Sequence, residues 1–249
     1  AAAQGLVAGI NAALKLSGRE PLVLRRSDGY IGTLIDDLVT KGTDEPYRMM
    51  TSRTEYRLLL RQDNADKRLA AIGCRVGLVP AERLREVERK YAQVEAEISR
   101  LEHTGLAPSE KLNAVLTERS TAPVTDGATL AELIRRPQIG YADLAPFDPE
   151  RPALPRQVSE QVEIELKYAG YIRRQLRQVE EFLRMEERRL PEDIDYSAIT
   201  GLRLEARQKL SRVRPVSLGH AGRISGVSPA DLAALMVWLS MGKNGRSGC

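Results

Sequence analysis

Leu84, Val87, Tyr91, Val94, Ile98 and Leu101 follow one another at spacings of 3, 4, 3, 4 and 3 residues. At 3.6 residues per turn, that spacing collects all six on one side of an α-helix; a strand would scatter them over both faces. Such a stripe has to be covered, so the chain around it must supply other packed elements. Pro80 stands at a natural helix start and Gly105 lies past the end. A second, longer pattern predicts a helix over Ser159–Arg189. Val162, Leu166, Ala169, Ile172, Leu176, Val179 and Leu183 keep helical spacing, while Lys167, Arg173, Arg174, Arg177 and Arg184 take other faces. Pro191 closes it. Shorter helices are predicted over Ser109–Arg119 and Leu130–Arg136, and in the tail over 203–212, 217–224 and 229–240. Ser228-Pro229-Ala230-Asp231 combines a Ser cap, Pro in the first position and an early carboxylate. Pro146, Pro149, Pro152 and Pro155 mark a linker or an ordered crossover.

The front of the chain is less regular. Ala1–Leu16 reads as a helix, with Gly5 and Gly9 as small positions for close packing and Gly18 at its C-terminus. A chain opening on Ala in mid-helix is expected to be a piece of a longer one. Leu22-Val23-Leu24 looks strand-like. Gly29, Gly32, Gly42 and Pro46 predict an irregular stretch over 20–50, and Thr54–Leu60 fits strand or helix. The expected fold class is mainly α. The expected divisions are 1–62, 63–156 and 157–249.

Composition narrows the function. Among 249 residues, 42% are apolar and 29% charged, which is globular rather than disordered. The longest apolar run, Leu232–Leu239, is far short of the roughly 20 residues that span a bilayer. Without a membrane span or a signal peptide, a cytoplasmic location is expected. Cys74 and Cys249 make no metal spacing, and only two His are present. No Gly-rich phosphate loop, nucleophile elbow or zinc motif occurs, so neither a catalytic residue nor a metal site is predicted. Asp36 and Asp37 are adjacent and therefore point to different faces, which favours a capping or loop role over shared acid–base work. His103 sits near a helix C-terminus, and Cys74 reads as a small buried residue.

The net charge of +4 is uneven: 48–75 carries +4 and 203–249 carries +6, around a net-acidic middle. Blocks of this kind attract nucleic acid, although charged helix faces are also common on any soluble surface. The densest stretch is Glu45–Asp66, in which Arg48, Arg53, Arg57 and Arg61 alternate with Tyr47, Tyr56 and hydroxyl groups. Arginine forks fit phosphate, and tyrosine rings stack on bases. Internal pairing with Glu55, Asp63 and Asp66 is the alternative, and composition does not decide between them.

Several runs carry a resemblance. They are Ala1–Ala13, Tyr30–Thr43, the Arg-rich stretch, Gln161–Ile172 and Arg223–Asp231. In order along the chain, these runs resemble the MnmG (GidA) family of tRNA uridine 5-carboxymethylaminomethyl modification enzymes. Residues 78–160 match it only in general pattern. The resemblance implies a C-terminal helical portion of a flavoprotein, preceded by a short remnant of an α/β FAD-binding domain. It implies FAD as cofactor and NADH as reductant, bound mainly by a part that this sequence lacks, with Gln4 near the cofactor at best. It implies action at C5 of the wobble uridine of tRNA together with the GTPase MnmE, as a homodimer, and no catalysis by this portion alone. The tRNA-binding residues would be Arg48, Arg53, Arg57 and Arg61. The partner-binding residues would lie in the tail, at Arg223 and Trp238. His220, Gly222 and Met50 depart from the family's usual Gln, Ser and Phe. Two other classes remain: a stand-alone nucleic-acid-binding helical protein, with Leu218–Ile224 as a Gly turn between helices, or a helical adaptor.

Overall fold

The computed structural model describes residues 1–40, 42 and 45–244, without the side chains of 178, 179, 181–183, 186 and 241–244. Among them are ten α-helices: α1 (Ala2–Leu16), α2 (Tyr30–Thr40), α3 (Ala65–Arg75), α4 (Ala81–His103), α5 (Glu110–Glu118), α6 (Leu130–Ile134), α7 (Arg156–Glu187), α8 (Leu204–Val213), α9 (Leu218–Arg223) and α10 (Pro229–Asn244). Two-residue strands β1 (Gly105–Leu106) and β2 (Ala128–Thr129) pair antiparallel, Gly105 opposite Thr129. The chain is mainly α, as the helical stripes require. It forms two compact units that interleave along the sequence: Ala1–Leu6, Val23–Arg57 and Gln175–Cys249 make one, and Val7–Leu22 with Leu58–Arg174 the other. The consecutive divisions read along the sequence do not follow this interleaving. The stripe residues Val179 and Leu183, Lys41 and Thr43 of the Tyr30–Thr43 run, and Cys249 fall outside the described side chains.

The second unit is built on the α4 stripe. Val87 and Tyr91 pack on Ala70 of α3. Further along, Val94 and Leu101 meet Leu112 and Leu116 of α5, Leu130, Leu133 and Ile134 of α6, and Val158, Val162 and Leu166 of α7. Each Leu or Val fully buried there contributes about 1.5–3 kcal/mol from apolar area. The helix starts are set chemically. Ser109 caps α5, and Thr129 with Glu132 forms a capping box on α6. Polar groups follow the same logic. Buried Glu97 accepts from Arg100 and from Tyr141, and Arg100 also bridges to Asp148 at 2.6 Å. Near the start of this unit, Asn11 Nδ2 donates to Leu22 O and Asn11 Oδ1 accepts from Leu22 N at 2.6 Å. The strand-like run Leu22–Leu24 is therefore not a strand: a side chain satisfies the backbone groups that a neighbouring strand would have taken. α3, which no apolar stripe announced, packs along α4.

In the first unit, α2 occupies Tyr30–Thr40 within the stretch expected to be irregular, while the described residues 23–29 and 45–50 on either side of it are irregular. Gly32 is not a breaker there. A Cβ at Gly32 would lie within 2.1 Å of Arg25 O, so the missing side chain lets the helix run against the preceding backbone. Thr54–Leu60 is neither strand nor helix but turns, after a 3-10 turn at Thr51–Arg53. Gly5 and Gly9 do not sit under another element: a Cβ on either meets nothing within 4 Å. The tail helices form where expected, and α7 starts at Arg156, directly behind Pro155. Leu218–Arg223 is helix α9 rather than a Gly turn. The turn lies at Gly226, whose φ of +96° suits glycine. Leu190, Tyr196, Leu202, Ala206, Leu210, Leu218 and Leu235 are the buried centre of this tail.

Two outcomes follow. Gly32→Ala forces Cβ into a backbone carbonyl and is expected to lower the melting temperature. Gly5→Ala, facing open space in a helix, is expected to stabilise by up to about 1 kcal/mol. Parallel thermal melts check the contrast. The second concerns Asp231, whose buried carboxylate accepts from Arg203 Nη2 at 2.7 Å and Ser228 Oγ at 2.6 Å. The hydrogen bond from Arg203 holds its pKa well below the ordinary carboxylate range, against burial, and Ser228 adds to this. A depressed folded pKa means that the unfolded chain takes the proton first. The stability from Asp231 is therefore present above the unfolded value near pH 4 and is lost as pH falls below it. Asp231→Asn should be less stable at neutral pH and lose less on acidification. Melts from neutral pH to strong acid measure both.

Candidate nucleic-acid interface

The residues named from sequence divide between the two units, because the boundary falls between Arg57 and Leu58. In the first unit, the segment 46–57 is braced from beneath by Arg26, which sequence reading did not single out. The Arg26 side chain is only 10% exposed and lies 2.9 Å from Asp36, 2.7 Å from Asp37 and 2.9 Å from Glu55. Its Nη2 also donates to Arg53 O at 3.3 Å. Burial opposes the charge of Arg26, but the bonds to Glu55 and Asp37 outweigh it and raise its pKa further. Glu55 mirrors this: burial works against its ionised form, and the Arg26 bond lowers its pKa on balance. Tyr47 OH donates to Asp37 at 2.7 Å. Burial and that bond push the phenol up to about 12. Thr33 and Thr54 hydroxyls meet at 3.3 Å, and Gln175 Nε2 donates to Glu55 O at 2.7 Å.

What this bracing leaves outside is a set of cations. Arg48 and Arg57 are exposed, with no hydrogen-bond or ion-pair partner among the described residues. Arg53 is also exposed and stacks over the Tyr47 ring, 5.0 Å from its centre. The acids that were the alternative partners are occupied elsewhere. Glu55 holds Arg26, and Asp66 accepts from Lys90 and Tyr91 at 2.9 Å each. Tyr56 is 5% exposed and belongs to the core, so it is not a stacking platform.

Arg61, in the second unit, behaves oppositely. It pairs with Asp63 at 2.9 Å and Glu165 at 3.3 Å and donates to Leu58 O. The internal-pairing reading therefore describes Arg61 and not Arg48 or Arg57. Arg223 is turned inward, its Nε 3.4 Å from Asp36 in an ion pair. Trp238 packs against the tail centre. Gln4 is half-buried on α1. A cavity of about 620 Å³ beside Arg26 is faced by Arg223, Asp36 and Glu55, charges already committed to one another. Among the described residues no acid, His or Cys cluster is placed to hold a metal ion, and no helix is long and apolar enough to cross a membrane.

The class of protein follows from comparison with known families. Residues 81–176 match the model of the tRNA modifying enzyme MnmG/GidA C-terminal helical domain, and residues 178–248 that of the MnmG/GidA C-terminal helical bundle. The chain is 56% identical over 245 residues to the tRNA uridine 5-carboxymethylaminomethyl modification enzyme MnmG of Caldicellulosiruptor saccharolyticus, covering 98% of this chain and 39% of that protein. It is 53% identical over 244 residues to MnmG of Enterococcus faecalis, again 98% and 39%. A crystal structure of Aquifex aeolicus GidA superimposes with a TM-score of 0.73 at 39% identity, over 95% of this chain and 37% of that one. The chain belongs to the MnmG/GidA family, and it spans about two fifths of the length of these relatives.

Arg26 and the exposed arginines should separate in experiment. Arg26→Ala leaves three acids without their shared cation. Its expected cost is about 3 kcal/mol, the low end for breaking such a set, because Asp36 and Glu55 keep some water. Arg61→Ala should also lower the melting temperature. Arg48→Ala and Arg57→Ala should leave it unchanged within about 0.5 kcal/mol. Chemical denaturation of the four variants reads this directly.

Proposed function

We propose that this chain is the tRNA- and partner-engaging helical region of an enzyme that modifies C5 of the wobble uridine in tRNA. In this reading Arg48, Arg53 and Arg57 contact tRNA phosphates. The observation that carries it is three exposed arginines on one braced segment, two of them without partners, in a chain of this family. Bracing matters energetically, since a segment already held in place loses little further freedom on binding.

The whole enzyme would use FAD and NADH, work with the GTPase MnmE, form a homodimer and reside in the cytoplasm. The residues of this chain do not fit an FAD site on their own. There is no Gly-rich phosphate loop in the sequence, and the glycines of α1 border open space rather than a cradle. Flavin chemistry would therefore be held mainly elsewhere, and this chain alone would be inactive. The tail, with α8, α9 and α10 around one core, would be the partner-binding part. Arg223, paired with Asp36, and Trp238, half-buried on the tail core, would take part in that contact together with other exposed tail residues.

The test is tRNA binding as a function of salt. A phosphate contact releases counterions, so its loss lowers the slope of log affinity against log salt by about 0.7–0.9. Arg48→Ala and Arg57→Ala should each show that reduced slope and weaker binding for any tRNA sequence. Unchanged affinity and slope in both variants would contradict the reading.

A further inference from the structure

Helix α7 carries an exposed face that the preceding reading does not use. Tyr168 is 43% exposed and Tyr171 60% exposed. With Arg174, they follow one another at three-residue intervals, which places them along adjoining turns on one side of the helix. Large aromatic rings left in water cost apolar hydration unless something covers them, and both tyrosines and Arg174 lie in the second unit.

The surroundings define the covering chemistry. Between Glu165 and Glu180 the chain has no acidic residue and four basic ones, Lys167, Arg173, Arg174 and Arg177. Lys167 is committed to Glu163 at 2.7 Å. Arg173 and Arg174 are exposed with no ion-pair partner among the described residues. Tyr168 is also held in place. The Arg61 guanidinium lies 5.7 Å from its ring centre and is itself fixed by Asp63, Glu165 and Leu58 O. A ring already fixed loses little freedom when a second planar group stacks on it. Arg174, a cation without an ion-pair partner on the same side of the helix as two open aromatic rings, matches an anionic ligand with flat apolar faces, which is single-stranded nucleic acid.

We propose that Tyr168, Tyr171 and Arg174 form a second RNA contact, in which the tyrosines stack unpaired bases of a loop and Arg174 meets the adjoining phosphate. The proposal rests on the reading that the chain engages RNA. It differs from the Arg48–Arg57 contact in what it recognises: bases splayed out of a helix rather than backbone charge alone. A duplex keeps its bases stacked on one another and offers these rings nothing.

The experiment measures the affinity of the 249-residue chain for two RNAs, a stem–loop with an unpaired loop and a blunt duplex carrying the same number of phosphates. Tyr171→Ala and Tyr168→Ala should each weaken stem–loop binding by about tenfold, the loss of one stacked base, and leave duplex binding unchanged. Tyr171→Phe should keep wild-type affinity, since it retains the ring. Arg174→Ala should weaken both RNAs. Wild-type stem–loop affinity in both Tyr→Ala variants, with Arg48→Ala still impaired, would overturn this inference and leave the broader reading standing. Equal loss on both RNAs would overturn stacking. A change in self-association of the Tyr→Ala variants without a change in RNA affinity would give the face to a second copy of the chain. Failure of the wild-type chain to bind either RNA would overturn both the reading and this inference.

Discussion

The guanidinium of Arg26 is the contact on which the presentation of the candidate site depends. It reaches two carboxylates of α2 and one from the segment after the 3-10 turn, and donates to the backbone of Arg53. One cation therefore fixes α2 to the Arg-rich segment within the first unit. Three acids around one buried cation leave excess negative charge, and that excess attracts further groups: the Tyr47 hydroxyl donates to Asp37, and Arg223 forms an ion pair with Asp36. The acids that might have folded Arg48 and Arg57 back onto the protein are thus consumed. The arginines stay in water because the carboxylates are already satisfied by Arg26, not because acids are scarce.

The second unit solves a comparable problem differently. Its buried apolar residues form two clusters along the α4 stripe, and the charges buried beside them are held in closed sets. Glu97 is buried with Arg100, Tyr141 and Asp148 around it, and Arg61 is enclosed by Asp63 and Glu165. Burying an ion pair is tolerable only when its remaining bonding positions are filled, as they are here. Arg61 shows that membership of an arginine-rich run does not make an arginine available. Its neighbours in space decide that.

Much of the fold was legible in the residues. α4, α7 and the tail helices follow apolar spacings that no other element can satisfy, and Ser109 and Ser228 mark the starts of α5 and α10 through side-chain caps. α2 was not legible, because Gly29 and Gly32 read as breakers when Gly32 is in fact a point of close backbone approach. The Leu22–Leu24 run failed for a related reason: its partner is the Asn11 side chain, and nothing in a local pattern announces a side chain that replaces a strand. At the candidate site, the exposure of Arg48 and Arg57 and the enclosure of Arg61 look identical in sequence. Arg26 sits beside Arg25 with no local mark of difference, and its partners are 10, 11 and 29 residues away. Only the fold brings them together. The interleaving of the two units was equally hidden, since it depends on long-range packing rather than on composition shifts.

The braced segment 46–57 is the proposed place of RNA contact. Photo-crosslinking of the chain to tRNA, followed by mass spectrometry of the linked peptides, tests that most directly. Crosslinks should concentrate in the peptides that hold Arg48, Arg53 and Arg57, and should disappear when Arg26 is replaced in a variant that still folds. Crosslinks confined to the tail helices α8–α10, with the segment 46–57 unlabelled, would contradict it.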